Sequence, residues 1–332
     1  MKISYPKYYE SFRCIASRCP DSCCHQWDVQ VDEASADFYR TLPGPLGDKL
    51  RQVLQDIDGE AVMANTADRR CPMWRDDGLC RIQAELGHDA LCKTCREFPR
   101  LTHDYGSFQE WGLELSCPEA AQLILSNADS QWVTVERPGN GDADYEENIM
   151  QILLDTRPEA LSIVRDQSLS VGEALAVLLL YGYEVQAVLD GAESAEFSTE
   201  KALRQARELA REGSFEDLRR FYLELEILTP EWEALLKAAH LPTPWLEQHR
   251  ALASYFIARY WLQAVADYDL VGRVKLAIVS CLLIKTLGGD LRTAQLYSKE
   301  IENSIDNVEA ILDGAYVSPA LADVRLLDML LK

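Results

Sequence analysis

Residues 19–27 read CPDSCCHQW, a stretch that places three cysteines within six positions. Thiols this dense need a chemical role, because a single buried cysteine acts only as a small apolar side chain. The pattern extends beyond this stretch, since nine of the ten cysteines lie within the first 117 residues. These nine are the candidate metal ligands Cys14, Cys19, Cys23, Cys24, Cys71, Cys80, Cys92, Cys95 and Cys117.

The spacing of these cysteines suits two kinds of metal centre. Thiolates bind both zinc and iron–sulfur clusters, and each centre needs about four ligands in a fixed geometry. The pair Cys92 and Cys95, separated by two residues, serves either centre. The adjacent pair Cys23 and Cys24 favours iron, because neighbouring side chains diverge and reach different centres or different edges of one cluster. Nine sulfurs exceed one four-ligand site, so both two centres and one centre with additional packing thiols stay open.

Two other uses of the cysteines are disfavoured. Disulfides are typical of oxidising compartments, whereas the N-terminal sequence MKISYPKYYESFRC does not have the apolar run of a signal peptide. We therefore predict a cytoplasmic protein with metal-binding thiols. Radical S-adenosylmethionine enzymes use CxxxCxxC, and Cys19 and Cys23 match its first spacing, but residue 26 is Gln26. The tenth cysteine, Cys281, lies in the apolar run LAIVSCLLI and is predicted to be a core residue.

Composition excludes several classes of partner. The chain has 332 residues, of which 48% are hydrophobic and 26% charged, as expected of a folded globular protein. A net charge of −21 would repel DNA and RNA, so we predict no nucleic-acid partner. We also predict no membrane span, because the longest candidate, VKLAIVSCLLIKTL, is interrupted by Lys275 and Lys285.

The first part of the chain reads as irregular structure with short strands. Turn-forming residues interrupt its apolar runs, as in PGPLG at 43–47. WDVQVD at 27–32 and FQEWGLELSC at 108–117 are predicted strands, and DKLRQVLQDI at 48–57 has a helical period. The composition of RPGNGDAD at 137–144 is that of an exposed linker.

The rest of the chain reads as eight or nine helices. Their predicted starts are SVGE at 170–173, which forms a capping box, SFED at 214–217, TPEW at 229–232 and PTPW at 242–245. The predicted fold is therefore mainly α. An irregular, cysteine-rich, metal-binding region at 1–136 has short strands and precedes an all-helical region at 145–332.

The cysteine pattern resembles that of flagellin lysine N-methylases. The segments that carry the resemblance are FRCIASRCPDSCCHQWDVQVD, RRCPMWRDDGLCRIQAELGHDALCKTCREFPR and LELSCPEAA. In the helical part, ASYFIARYWLQAV and YSKEIENSIDNVEAIL are similar to segments near that family's carboxyl end. The resemblance implies methylation of lysine ε-amino groups on flagellin, with S-adenosylmethionine as donor. It also implies an iron–sulfur cluster of the [4Fe-4S] type bound by the cysteines.

The chemistry of lysine methylation places a demand on the site. A lysine amine has a reference pKa of about 10.4, and only the neutral amine can attack a methyl sulfonium, so the site must accept a proton. Tyr105, Glu110 and Glu114 are candidate acceptors, but no motif assigns the catalytic or donor-binding residues. The alternative function is a non-enzymatic metal-binding or redox-sensing interaction module, with zinc as the alternative metal.

Overall fold

The computed structural model describes residues 1–25, 27–139, 141–193, 196–238 and 243–332. These residues form fifteen α-helices and seven strands, so the predicted mainly α fold is confirmed. They divide into two compact units, which are described separately below. We call residues 12–101 and 117–120 the cysteine unit, and residues 1–11, 102–116 and 121–332 the helical unit. The predicted domain limits, 1–136 and 145–332, stay a prediction.

Strands and helices are numbered in chain order. The strands are β1 (Lys2–Pro6), β2 (Val29–Val31), β3 (Leu54–Ile57), β4 (Glu60–Met63), β5 (Arg100–Asp104), β6 (Phe108–Leu113) and β7 (Trp132–Glu136). The first helices are α1 (Glu33–Thr41), α2 (Gly44–Val53), α3 (Arg81–Leu86), α4 (Lys93–Glu97) and α5 (Pro118–Leu125). The later helices are α6 (Glu147–Arg165), α7 (Val171–Leu189), α8 (Thr199–Leu209), α9 (Phe215–Leu223), α10 (Pro230–Lys237), α11 (Gln248–Tyr260), α12 (Leu270–Thr286), α13 (Leu291–Tyr297), α14 (Ile305–Val317) and α15 (Asp323–Leu331).

The cysteine unit is built on a three-stranded sheet in the order β2-β4-β3. The predicted strand in WDVQVD is confirmed as β2, whose Val29 and Val31 are buried on one face while Gln30 is exposed. This alternation is typical of a strand with one side on a core. The core behind β2 also contains Tyr39 of α1 and Leu50 of α2.

The predicted helix at 48–57 is correct only in its first part. Helix α2 ends at Val53, and Leu54–Ile57 form β3, which pairs antiparallel with β4. Asp58 and Gly59 connect the two strands with positive φ angles of 54° and 86°. Pairing with β4 therefore decides the structure of Leu54–Ile57. These four residues would make only about one helical turn, which is too short for their hydrophobic pattern to favour a helix.

The helical unit contains a four-stranded sheet in the order β5-β6-β1-β7. Strand β1 runs parallel to β6 and antiparallel to β7, so Ile3 lies beside both Gln109 and Val135. The predicted strand at the start of FQEWGLELSC is confirmed as β6. Strand β1 was not predicted.

Two helices form the centre of the helical unit. Helix α12 is buried from Leu270 to Lys285, and α7 packs against α6, α8, α12 and α15. Both helices are rich in apolar residues and bury most of their length, as is typical of helices in a core. From residue 147 onward the described part of the chain contains ten helices and no strand, one helix more than the predicted maximum.

Three of the four predicted helix starts are confirmed. Ser170 and Glu173 form the predicted capping box of α7. Ser214 caps α9 through the amide of Asp217, and Thr229 caps α10 with a proline at the first helical position. The fourth predicted start, PTPW, includes Pro242, which lies outside the described residues, as does His240. The next described helix, α11, begins at Gln248.

One helix, Val171–Leu189, is long and apolar enough to cross a membrane. In the described chain, 61% of its most apolar window is buried inside the protein, as in a core helix of a soluble protein. This helix differs from the segment around Cys281, which was predicted to be the longest apolar candidate for a membrane span. The cytoplasmic location stays a prediction.

Candidate functional site

All nine predicted metal ligands lie in the cysteine unit, and all ten cysteines are free thiols. Cys71 and Cys92 are buried, Cys14 and Cys23 are exposed, and the other five are half-buried. Cys281 lies in α12 and is completely buried among apolar side chains, so its predicted role as a core residue is confirmed.

Six of the nine cysteines form one group, which we call the inner thiols. Within it, Cys24 lies within hydrogen-bonding reach of both Cys23 and Cys71, and Cys92 and Cys95 form a second hydrogen-bonded pair. The two sets are close enough for the charges of Cys23 and Cys71 to act on Cys95. The inner thiols are Cys23, Cys24, Cys71, Cys80, Cys92 and Cys95.

The remaining three cysteines form an outer group. The ionisation of Cys117 is opposed mainly by burial, and the charges of Cys19 and Cys14 add to this effect. Cys19 in turn interacts with Cys14 and with Cys23, so the outer group adjoins the inner thiols. The structure therefore brings all nine predicted residues into one region of the cysteine unit, in two groups.

Local backbone structure explains how distant segments meet at the inner thiols. The amide of Cys71 donates a hydrogen bond to the carbonyl of Cys24 at 2.8 Å. Cys92 is the N-cap of α4, so Cys95 follows within the first helical turn. The carboxylate of Asp32 accepts from the amides of Lys93 at 2.7 Å and Ser35 at 3.1 Å, and it thereby fixes the start of α4 beside the start of α1.

Hydrogen bonds and burial shift the pKa values of four inner thiols in opposite directions. Hydrogen bonds with Cys23 and Cys71, together with burial, raise the pKa of Cys24 far above its usual value. The hydrogen bond with Cys92 likewise raises the pKa of Cys95, while Cys71 and Cys92, as acceptors, have lowered pKa values. Of these four, Cys71 and Cys92 are therefore the thiols that ionise more readily, and Cys24 and Cys95 stay protonated as their donors.

The donor set of the inner thiols fits zinc or an iron–sulfur cluster, since thiolate is the preferred ligand of both. The arrangement of the inner thiols does not form a complete metal site. Among the described residues, no group of three or more His, Cys, Asp or Glu side chains has an arrangement that could hold a metal ion. The metal-binding character of this region therefore stays a prediction.

The helical unit contains a second group of polar residues that the sequence analysis did not find. Glu302 accepts hydrogen bonds from the hydroxyls of Tyr255 at 3.1 Å and Tyr260 at 3.0 Å, and its carboxylate lies 3.3 Å from Arg259. Arg259 also donates to the hydroxyl of Tyr255 at 2.7 Å. Only 2% of the Glu302 side chain is exposed, so this ion pair lies inside the protein. We call these four residues and Glu114 the acid–base cluster.

One signal in the sequence and one feature of the structure point toward this cluster. Its α11 residues belong to ASYFIARYWLQAV, and Glu302 belongs to YSKEIENSIDNVEAIL, the two helical segments that carry the family resemblance. Residues Ser298–Glu302 form a π-helix, a distortion that is frequent at functional sites. The tertiary contact between the segments was not predictable, since 42 residues separate Glu302 from Tyr260.

The three predicted proton acceptors have different environments. Glu110 is buried and accepts two hydrogen bonds from Arg157, at 2.7 and 2.5 Å, so its carboxylate is fully engaged. Tyr105 stacks on Phe108 at 4.9 Å, and burial raises its pKa. Burial also raises the pKa of Glu114, and the charge of Arg259 opposes this shift.

Glu114 is the most available carboxylate of the acid–base cluster. It is half-buried and accepts a hydrogen bond from the hydroxyl of Ser116 at 3.0 Å. The amide of the next residue, Leu115, contacts the Tyr255 hydroxyl at 3.5 Å, which ties this segment to α11. His103 faces Arg259 as well, and burial lowers its pKa to about 4, so it contributes no charge at pH 7.

Comparisons with known proteins identify relatives in Salmonella. The chain is 31% identical to the flagellar biosynthetic protein FliU of Salmonella muenchen over 138 residues, which is 39% of this chain and 79% of FliU. It is also 31% identical over 138 residues to proteins named lysine-N-methylase from Salmonella typhimurium strain LT2 and Salmonella choleraesuis strain SC-B67. The match spans 33% of each lysine-N-methylase. No family model and no solved structure matches the chain.

Proposed function

This chain belongs to the flagellin lysine N-methylase family, and we propose that it methylates lysine side chains of flagellin with S-adenosylmethionine as the methyl donor. The observation that carries the proposal is the similarity to two proteins named lysine-N-methylase. The flagellar name of FliU supports a flagellar substrate. The net charge of −21 is suited to a lysine-bearing partner.

We further propose that the inner thiols bind an iron–sulfur cluster. Five of the six, all except Cys23, pack in or against the hydrophobic core of the cysteine unit, so a cluster there would lie at its centre. When bound, such a cluster would supply a redox-active centre. The thiols themselves would hold together segments far apart in sequence, which include Cys24, Cys71 and Cys92.

Glu114 is the proposed proton acceptor. The target lysine would bind as an ammonium ion and release one proton to the Glu114 carboxylate. The freed nitrogen lone pair forms a bond to the methyl carbon of the sulfonium, and the carbon–sulfur bond breaks with its electron pair going to sulfur. The products are a methylated lysine and a neutral thioether, so charge and atoms balance.

Charge balance distinguishes Glu114 from the other carboxylates. Arg259 compensates the charge of Glu302, and Arg157 compensates that of Glu110, so each of these carboxylates already has a cationic partner. Glu114 adds a second negative charge beside the single cation Arg259. Burial raises its pKa toward neutrality, the direction in which a carboxylate becomes a better general base.

The first prediction tests the methyltransferase function itself. Purified protein with intact metal centres, incubated with flagellin and S-adenosylmethionine, should increase the mass of flagellin in steps of about 14 Da per methyl group. Mass spectrometry of peptides should locate the added mass on lysines. If no mass is gained and the donor does not bind, while oxidant or metal supply changes the protein's interactions, the non-enzymatic sensing module is the better explanation.

The second prediction concerns Glu114→Gln. We expect kcat to fall by about 10²–10⁴-fold, the usual contribution of a general base. In the wild type, the rate should decline as pH falls through the raised pKa of Glu114, because a Glu114 already protonated by solvent cannot accept the proton of the substrate ammonium. The variant should not have this acidic limb, since glutamine does not titrate.

The matched control is Glu208→Gln, which changes an exposed glutamate of α8. It should keep the wild-type rate and pH profile. Removal of a carboxylate whose pKa is raised by burial should not destabilise the fold, so thermal unfolding of Glu114→Gln at pH 7 separates lost catalysis from lost structure. An unchanged acidic limb in this variant would assign the proton acceptor elsewhere.

A further inference from the structure

The helical unit has an open groove on one face of its four-stranded sheet. Its volume is about 740 Å³, within the range of about 300–1,000 Å³ that is common for small-molecule sites. Strands β1, β6 and β7 and helix α6 line it. The lining residues on which the argument rests are Lys2, Phe108, Glu110, Trp132, Glu136 and Arg157.

Strand register places these side chains in rows along the groove. Lys2 lies between Phe108 on β6 and Glu136 on β7, so an aromatic ring and two opposite charges share one row. Trp132 lies opposite Pro6 at the far end of the same strand pair. Four residues of strand, at about 3.3 Å each, separate these ends by about 13 Å.

The middle of the groove is rigidly built. The guanidinium of Arg157 binds both carboxylate oxygens of Glu110, and both side chains are buried. The same guanidinium lies 5.1 Å from the centre of the Trp132 ring. A two-point ion pair and a cation–π contact thus hold Trp132 and Arg157 in place before any ligand binds.

The chemistry of the groove matches one class of ligand. An aromatic ring at one end favours a flat heterocyclic base, and a lysine beside a glutamate at the other end favours an amino acid zwitterion. Arg157 and Glu110 already compensate each other, so the charges left for a ligand are those of Lys2 and Glu136, which suit a zwitterion better than a polyanion or an apolar ligand. A purine nucleoside joined to an amino acid has both parts.

We propose that this groove is the methyl-donor site, in which Trp132 stacks on the adenine of S-adenosylmethionine while Lys2 and Glu136 bind its carboxylate and ammonium groups. The inference rests on the proposed function, since it locates the donor that the reaction requires. Nothing in the comparisons assigns a donor site. Glu114 does not line the groove but directly follows β6, the strand that carries Glu110, so the target lysine must bind between the groove and Glu114.

Calorimetric binding of S-adenosylhomocysteine to the full-length protein tests the proposal without any turnover. Trp132→Leu and Glu136→Gln should each weaken binding at least tenfold. Glu136 is exposed at the end of β7, so Glu136→Gln does not endanger the fold. Glu208→Gln, outside the groove, should bind with wild-type affinity.

The outcomes separate the groove from the proposed function. If wild-type protein binds S-adenosylhomocysteine and methylates flagellin, but both groove variants bind it equally well, the donor site lies elsewhere and the proposed function stands. If the wild type neither binds S-adenosylhomocysteine nor methylates flagellin, both are overturned. Methionine or adenosine alone should bind far more weakly than the joined molecule, and equal affinities would contradict a site that recognises both parts.

Discussion

If the inner thiols bind the proposed iron–sulfur cluster, Cys71→Ser and Cys92→Ser should each lose most of the iron and sulfide found in wild-type protein purified without oxygen. Both residues are buried inner thiols, and each belongs to a different hydrogen-bonded set. Metal that binds only the folded state contributes its binding free energy to folding, which for structural zinc amounts to about 10–16 kcal/mol. The cysteine unit should therefore unfold at markedly lower urea concentration in these variants.

Metal analysis, sulfide analysis and the visible absorption spectrum measure this result. Cys281→Ala is the matched control, because Cys281 is equally buried but lies in α12, far along the chain from the inner thiols. It should lower stability by the loss of packing and retain all the iron. The series extends to Cys14, Cys19 and Cys117, whose iron content shows whether the outer group contributes ligands.

Three outcomes of the series have distinct meanings. Loss of iron only at the inner thiols would assign the ligands to that group. Zinc in place of iron would make the centre a structural element. Full metal content in all six inner variants would contradict the cluster and leave five of these thiols, all except Cys23, as core packing residues, as Cys281 is.

Breaking the buried ion pair of the acid–base cluster should have the largest effect on stability in the helical unit. Arg259→Met leaves the carboxylate of Glu302 buried without its cation, whereas Glu302→Gln leaves the guanidinium with Glu114 as its remaining anion. Removing one partner of a buried pair commonly costs about 3–5 kcal/mol, because the remaining charge stays desolvated. We expect Arg259→Met to lose this amount and Glu302→Gln to lose less, because the charge of Glu114 still faces the guanidinium.

The double variant Arg259→Met, Glu302→Gln should recover part of the loss, since no unpaired charge of this pair remains. Urea unfolding of the wild type, both single variants and the double variant forms a cycle that isolates the coupling between the two residues. Additive losses would mean that the pair is not coupled. The hydrogen bonds of Tyr255 and Tyr260 to residue 302 would then account for the stability of the cluster.

Local signals in the sequence predicted the elements that depend on local structure. The caps of α7, α9 and α10 at Ser170, Ser214 and Thr229 were predictable, because a cap is a contact between residues three positions apart. The strand at Val29–Val31 and the core position of Cys281 followed from alternation and from an apolar run. The segment at Leu54–Ile57 was mispredicted because its pairing with β4 outweighs its own period.

The sequence by itself determined which residues could do the chemistry: a dense set of thiols, and carboxylates near the end of β6. Only the tertiary structure decided which of them are available, because the deciding partners lie far away in the chain. Glu110 is neutralised by Arg157, 47 residues later, while Glu302 closes a cluster with Tyr255 and Tyr260. Burial and charge pairing depend on such long-range contacts, and no local pattern of residues records them.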